Sequence, residues 1–201
     1  LKIGQSMPLT LYPNPNLMRL LNKIWPPIGA FCAVIIGLGV FLGMDNPWDL
    51  RGLLWLNCAA LLLHQGEEFI YPGGFVEFYN LHVVGRIPFL NSKLGEGVIF
   101  AINVPMGWTL YIISAVFFSW MWLGVATALV SLVNAVAHIL MALRLRRYNP
   151  GLATSVLCFL PIGLWIVCRS LNHIDVAQLL LAFVTCLICV LALVLAKKLS
   201  G

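Results

Sequence analysis

The feature that most constrains this chain is residues 61–71, LLLHQGEEFIY, which place three ionisable side chains inside an apolar segment. Side chains three and four positions apart share one helix face, so His64, Glu67 and Glu68 project to the same side. Asn57, seven residues before His64, extends this polar stripe. A charge near the middle of a bilayer costs about 2.5–3.5 kcal/mol on insertion scales. We therefore expect the cluster to be paired, bound to a metal or exposed to a cavity.

Composition makes this an integral membrane protein. The 201 residues are 61% hydrophobic and only 9% charged, which is too little polar surface for a water-soluble globule. Helices satisfy their own backbone hydrogen bonds in lipid, so the fold class is all-α. We predict a polytopic helical membrane protein with about six transmembrane helices in one bundle, over residues 28–42, 48–70, 98–119, 121–145, 152–170 and 176–196.

Two segments outside these spans differ in character. Residues 1–25 form an N-terminal lead-in whose cations alternate with leucines, a pattern that suits either the headgroup region or a short solvated stretch. Residues 26–201 then make a single transmembrane helical domain, beginning at Pro26 and Pro27. The connector over residues 75–97 is too polar to span and too apolar for a free loop. It is predicted to be interfacial or re-entrant and could cap the polar site.

The cations indicate the topology. Net charge is +5, but most Lys and Arg flank apolar runs, so topogenic charge explains them better than a nucleic-acid partner. Six spans with both termini in the cytoplasm leave only Arg51 and Arg169 outside. The residues then inside are Lys2, Arg19, Lys23, Arg86, Lys93, Arg144, Arg146, Arg147, Lys197 and Lys198.

This topology sorts the polar residues by depth. His64, Glu67 and Glu68 lie within about two turns of the inner end of the second span, and His138 lies at a similar depth on the fourth. His173 falls in an outer loop and is excluded from the site. Imidazole and carboxylate at matching depth predict a divalent metal site with zinc, iron or manganese as candidates. The predicted ligands are His64, Glu67, Glu68 and His138, and the second-shell or substrate residues are Asn57, Asn103, Asn134 and Tyr148.

Other interpretations of the cluster remain open. Two close buried carboxyls raise one pKa, giving a protonated acid and a base, with His64 as a proton shuttle. Such a site would suit an isomerase or cyclase of an isoprenoid or sterol-like substrate. The same groups could relay ions in a small proton-coupled transporter, or could only join helices through hydrogen bonds. All six cysteines lie in apolar segments, where thiols act as small hydrophobes.

Three short motifs, two matched completely and one in part, carry a resemblance to a known family. Residues 64–68 read HQGEE, residues 134–138 read NAVAH, and residues 148–151 read YNPG. They resemble the HxxEE, NAxxH and HxxxYxPG motifs of the HXXEE domain family of small bacterial membrane proteins. Arg144 stands where that family has the leading His of its third motif. The resemblance implies a site of His64, Glu67, Glu68, Asn134 and His138 in a bacterial inner membrane, and it names no reaction.

The sequence therefore predicts a membrane enzyme whose metal, catalytic His64 and catalytic carboxylates Glu67 and Glu68 act on a lipophilic small molecule or lipid. A metal-dependent hydrolase or oxidoreductase is favoured over a metal-free isomerase. Membrane lipids are the expected partners. The sequence chooses neither the metal, the substrate nor the oligomeric state, and it leaves the role of His82 in the connector open.

Overall fold

The computed structural model describes residues 15–86 and 93–199, with side chains for 16–86 and 93–195. Its helices follow one another without intervening strands in the described part. They are α1 Pro15–Gly43, α2 Leu50–Phe69, α3 Phe75–His82, α4 Glu96–Ala101, α5 Thr109–Val116, α6 Met121–Leu145, α7 Leu152–Thr154, α8 Leu160–Ser170 and α9 Val176–Leu199. Two π-helical segments, π1 Ile102–Trp108 and π2 Ser155–Phe159, join α4 to α5 and α7 to α8.

The bundle is that of a helical membrane protein. Five described segments are long and apolar enough to cross a membrane: Asn16–Gly43, Glu96–Val116, Met121–Leu145, Leu152–Ser170 and Val176–Leu195. The predicted second span, α2, is long enough to cross a membrane but is more polar than these five segments and is not among them. Most of its residues are buried, and it packs against α1, α5 and α8. The polar stripe of α2 is therefore covered by protein, as the cost of a charge in hydrocarbon requires.

The first helix begins earlier than predicted. Pro26 and Pro27 do not start it, because α1 already begins at Pro15 and runs through both prolines. Residues 15–25 of the predicted lead-in are thus the first turns of α1, and Arg19 pairs with Glu96 at the start of α4, 3.5 Å away. Residues 1–14, including Lys2, lie outside the described part, as do the side chains of Lys197 and Lys198.

The third and fifth spans contain π-helical turns. Pro105 has no N–H to donate to the preceding turn, and π1 surrounds it. Gln65 of α2 braces this segment, since its Nε2 donates to Asn103 Oδ1 at 3.0 Å and its Oε1 accepts from Trp108 Nε1 at 2.8 Å. A proline inside a helix commonly causes such an irregularity. π2 was not predicted, and such turns often accompany functional sites.

The connector lies over one end of the bundle, which we call the basic end because α6 finishes there in Arg144, Arg146 and Arg147. Its helix α3 and residue Leu94 bury Tyr79 and Val83 in an apolar cluster with Trp25 and Met141. Residues 87–92 of the connector lie outside the described part. The described portion supports the prediction of a segment that covers the polar site.

A buried polar network joins α2, α5 and α6 nearer the other end. The Tyr111 hydroxyl donates to the Thr127 carbonyl at 3.1 Å and lies 2.7 Å from Ser131 Oγ. Ser131 in turn donates to Asn57 Oδ1 at 2.9 Å. Asn57, Thr127 and Ser131 are fully buried. These bonds stabilise the packing of three helices, and Asn57 belongs to this network.

We expect Tyr111→Phe to destabilise the bundle by about 1 kcal/mol, because it keeps the ring but removes the buried hydroxyl that donates to the Thr127 carbonyl. The measurement is the midpoint of unfolding by sodium dodecyl sulfate in mixed micelles. Tyr71→Phe is the matched control, since Tyr71 is 85% exposed. Equal midpoints for the two variants would contradict a stabilising network.

Candidate metal site

Two histidines and one carboxylate from α2 and α6 meet in the interior. His64 Nε2 lies 3.6 Å from Glu68 Oε1, and His138 Nε2 lies 3.4 Å from the same oxygen. The potential ligand atoms of these three residues all lie within 4.8 Å of one another. Their exposed fractions are 1% for His64, 6% for Glu68 and 2% for His138. The cluster could hold a metal ion.

The tautomer of His138 follows from its partner Asn149. Asn149 Nδ2 donates to the main-chain oxygen of His138 at 3.0 Å, which fixes the orientation of the amide. Asn149 Oδ1 therefore faces His138 Nδ1, at 2.5 Å. An amide oxygen can only accept, so Nδ1 carries a proton, and in the neutral imidazole Nε2 then presents a lone pair towards Glu68.

The tautomer of His64 follows in the same way from its partner Thr154. The Thr154 hydroxyl donates to Glu67 Oε2 at 2.5 Å, so its oxygen is left to accept from His64 Nδ1 at 2.9 Å. His64 Nε2 then also carries a lone pair, and this buried atom has no hydrogen-bond partner in the part of the chain that the structure describes. A hydrogen bond of this kind to the other ring nitrogen commonly fixes the orientation of a metal-binding imidazole.

With both imidazoles neutral, three lone pairs face one another without a hydrogen between them. Both Nε2 atoms and Glu68 Oε1 are acceptors in this arrangement, and Glu68 has no hydrogen-bond donor among the described residues. An unpartnered carboxylate in a buried site is costly. The three atoms could hold a cation at the point where they converge.

The adjacent carboxylate, Glu67, has a different role. Its oxygens accept from the main-chain N–H groups of Ala153 at 3.0 Å and Thr154 at 2.7 Å, and from the hydroxyls of Thr154 and Tyr148. The positive end of the segment Leu152–Ser170 faces this anion. Burial of the Tyr148 hydroxyl, and to a smaller extent the neighbouring Glu67 carboxylate, raises the pKa of Tyr148, so its phenol remains a donor. Glu67 thus lies outside the cluster of three and anchors α2 to the chain after residue 147.

Gly151 allows the turn to approach both imidazoles. Its φ is +98°, in the left-handed region that favours glycine. A Cβ at this position would lie 2.5 Å from His138 Cε1 and 2.7 Å from His64 Cε1. No side chain fits there without displacing a ring.

Aromatic rings enclose the cluster. The Phe159 ring of π2 lies 4.7 Å from His64 by centroid, and the Phe75 ring of α3 lies 5.3 Å from His138. Phe159 is fully buried. Apolar walls lower the local dielectric and strengthen the interaction of any bound cation with Glu68.

The structure separates the remaining predicted residues. Tyr148 reaches Glu67, whereas Asn103 bonds to Gln65 and to the Ile99 carbonyl. Asn134 is half-buried on α6 and makes none of the hydrogen bonds that orient His64 or His138 in the described part. His82 lies beside Arg147 at the surface, and no cysteine is among the three residues of the cluster.

Sequence reasoning missed the residues that orient the histidines. Asn149 and Gly151 appeared only as members of the YNPG motif, although an Asn inside a motif, with its side-chain donor and acceptor, was a usable sign. Nothing in the sequence singles out Thr154. It acquires its role only because the turn returns the chain to α2.

We expect Gly151→Ala to reduce metal retention strongly, because its methyl group would intrude between the two imidazoles. Gly74→Ala is the control: Gly74 also has a positive φ, +79°, but a Cβ there meets no atom within 4 Å. The measurement is metal content of each purified variant per protein chain. Similar losses in both variants would assign the effect to backbone strain and contradict a steric role.

Thr154→Val should weaken metal binding about 10- to 100-fold, the usual cost of removing a second-shell partner of a ligating histidine. Thr154→Ser keeps the hydroxyl and should bind as the unaltered protein does. Competition with a chromophoric chelator measures both affinities. Equal weakening by Val and Ser would show that the hydroxyl does not orient His64.

Comparison with known proteins gives a family and no activity. No curated protein and no solved structure matches the chain. The sequence model of a family described as protein of unknown function with HXXEE motif matches residues 55–166, more than half of the chain. The matched region contains His64, Glu68, His138 and the turn that orients them. The chain belongs to the family of proteins of unknown function with the HXXEE motif.

Proposed function

We propose that this protein is an integral membrane enzyme in which His64, Glu68 and His138 hold a divalent metal that acts on a lipophilic small molecule or lipid. The observation that supports it is the convergence of two Nε2 lone pairs on Glu68 Oε1 in a buried site. The positioning partners Asn149 and Thr154 are already in place.

The distances favour a metal over a shared proton. A charge-assisted hydrogen bond between nitrogen and oxygen is about 2.7–2.9 Å long, shorter than the 3.4 and 3.6 Å found here. Bonds of about 2.0–2.1 Å to a tetrahedral ion place two ligand atoms about 3.3 Å apart. The two Nε2–Oε1 separations, 3.6 and 3.4 Å, are close to this distance between two ligand atoms.

The number of protein ligands favours catalysis over a purely structural role. Structural zinc sites are usually closed by four protein ligands, whereas catalytic sites use three and keep one position for water or substrate. The described cluster offers three. A metal bound there would polarise a substrate oxygen or lower the pKa of a bound water.

The donor set limits the metal and the reaction. Two imidazoles and one carboxylate suit zinc, iron or manganese, while copper(I) prefers sulfur ligands. The same set serves zinc hydrolases and non-haem iron oxygenases. We therefore propose a hydrolase if the resident metal is zinc and an oxidoreductase if it is iron.

The surroundings support a lipophilic substrate in the membrane. Apolar rings enclose the site, and the outer surface of the bundle exposes large hydrophobic side chains. The positive-inside rule assigns the basic end to the cytoplasm, so a substrate would enter from the inner leaflet of the bacterial plasma membrane. Glu67 is occupied by its hydrogen bonds and acts in this proposal as a positioning residue.

Elemental analysis of detergent-purified protein tests the proposal. We expect near-stoichiometric zinc, iron or manganese in the unaltered protein and almost none in His138→Ala or Glu68→Gln. Glu77→Gln is the matched control, because it makes the same chemical change at an exposed carboxylate of α3 outside the cluster, and it should retain the metal.

Two results would contradict the proposal. The first is metal retained equally by Glu77→Gln and Glu68→Gln. The second is protein that stays metal-free after growth and purification with added zinc, iron or manganese. That outcome would favour a metal-free acid/base isomerase or a proton relay through the same groups.

Cobalt substitution tests the vacant coordination position. A Co²⁺ ion held by three protein ligands should change its visible absorption when azide binds, because azide replaces a water. An azide-insensitive spectrum from a saturated site would contradict an open position and with it the catalytic role. The variant Thr154→Ser, which keeps the orienting hydroxyl, should respond as the unaltered protein does.

A further inference from the structure

A groove at the basic end lies outside the metal site. It has a volume of about 300 Å³ and is lined by His82, Arg86, Leu145 and Arg147. His82 and Arg86 come from the end of α3 and the turn after it, and the other two from the end of α6. Arg147 Nη1 lies 2.9 Å from His82 Nε2, so the guanidinium donates and the imidazole accepts.

The positive charge of this groove is not neutralised. Neither Arg86 nor Arg147 pairs with a carboxylate in the ranges that the structure describes. All seven acidic side chains of the chain fall within those ranges, so no undescribed acidic side chain can supply a partner. Both guanidinium groups therefore retain N–H donors for an outside anion.

The geometry points to a phosphate monoester carried by a lipid: we propose that Arg86, Arg147 and His82 bind its headgroup in this groove. Guanidinium groups form paired hydrogen bonds with phosphate oxygens, and two arginines match the charge of a monoester. A groove of about 300 Å³ is within the range of small-ligand sites.

The neighbouring surface favours a lipid over a soluble phosphate. Leu81 of α3 and Leu143 of α6 are 59% and 69% exposed, each close in sequence to a residue of the groove. Acyl chains can lie along such apolar helix faces while the headgroup stays at the end of the bundle. This inference needs no metal, so it goes beyond the proposed enzyme function and can succeed or fail independently.

The test is native mass spectrometry of the detergent-purified chain titrated with dioleoyl phosphatidic acid. We expect saturable binding of one lipid, and about tenfold or greater weakening in Arg147→Gln and in Arg86→Gln. Arg144→Gln is the matched control, because it removes the same charge from the same helix end outside the groove. Its affinity should be unchanged.

Two further ligands and the control variant distinguish a lipid phosphate site from the alternatives. Dioleoyl phosphatidylcholine should bind more weakly by at least the same factor, since its phosphate is a diester beside a cation. Binding of glycerol phosphate as tight as that of the lipid would keep the phosphate site but assign it to a soluble ligand. Equal weakening by Arg144→Gln, or binding that never saturates, would overturn the proposal.

Discussion

The carboxylate of Glu67 ties together the parts of the chain that build the site. It lies at the end of α2 and accepts hydrogen bonds from Ala153, Thr154 and Tyr148 after the α6 turn. This attachment brings Asn149 and Gly151 beside the histidines. Its four hydrogen bonds outnumber the single one, from His64 Nδ1 to the Thr154 hydroxyl, that otherwise joins the described turn to α2. The position of both imidazoles therefore depends on one buried anion.

The negative charges of the adjacent carboxylates Glu67 and Glu68 have different surroundings. Glu67 receives main-chain and hydroxyl donors, which compensate its charge at the start of the segment Leu152–Ser170. Glu68 receives none and faces two imidazole lone pairs. Because consecutive residues on a helix point about 100° apart, the pair can face two separate environments. One carboxylate thus fixes the architecture while the other is left for a cation.

Much of the fold followed from the sequence because it depends on local composition. The helix Met121–Leu145 begins and ends where the apolar run and the arginines predict. Helical spacing and equal depth in the bundle predicted that His64, Glu68 and His138 lie close together, and the structure brings them together. The predicted start of the first helix at Pro26 was wrong, since α1 begins at Pro15 and continues through both prolines. The sequence offers no local sign that these prolines sit inside a helix packed against α2.

The roles of Asn149 and Thr154 could not be read from spacing. Each depends on how the turn after α6 folds back, which is a tertiary contact between residues about ninety positions apart in the case of His64 and Thr154. The tautomers of the histidines, and hence the convergence of lone pairs, follow only from those contacts. A motif can identify the ligand residues, but the hydrogen-bond partners in the folded protein determine which ring nitrogen carries the proton.

X-ray absorption spectroscopy of the detergent-purified protein, at the edge of its bound metal, tests the central claim most directly. The account predicts a first shell of nitrogen and oxygen atoms only, at about 2.0–2.1 Å for zinc, with the outer scattering of two imidazole rings. A sulfur shell near about 2.3 Å, or no imidazole scattering, would place the metal elsewhere and contradict a site formed by His64, Glu68 and His138.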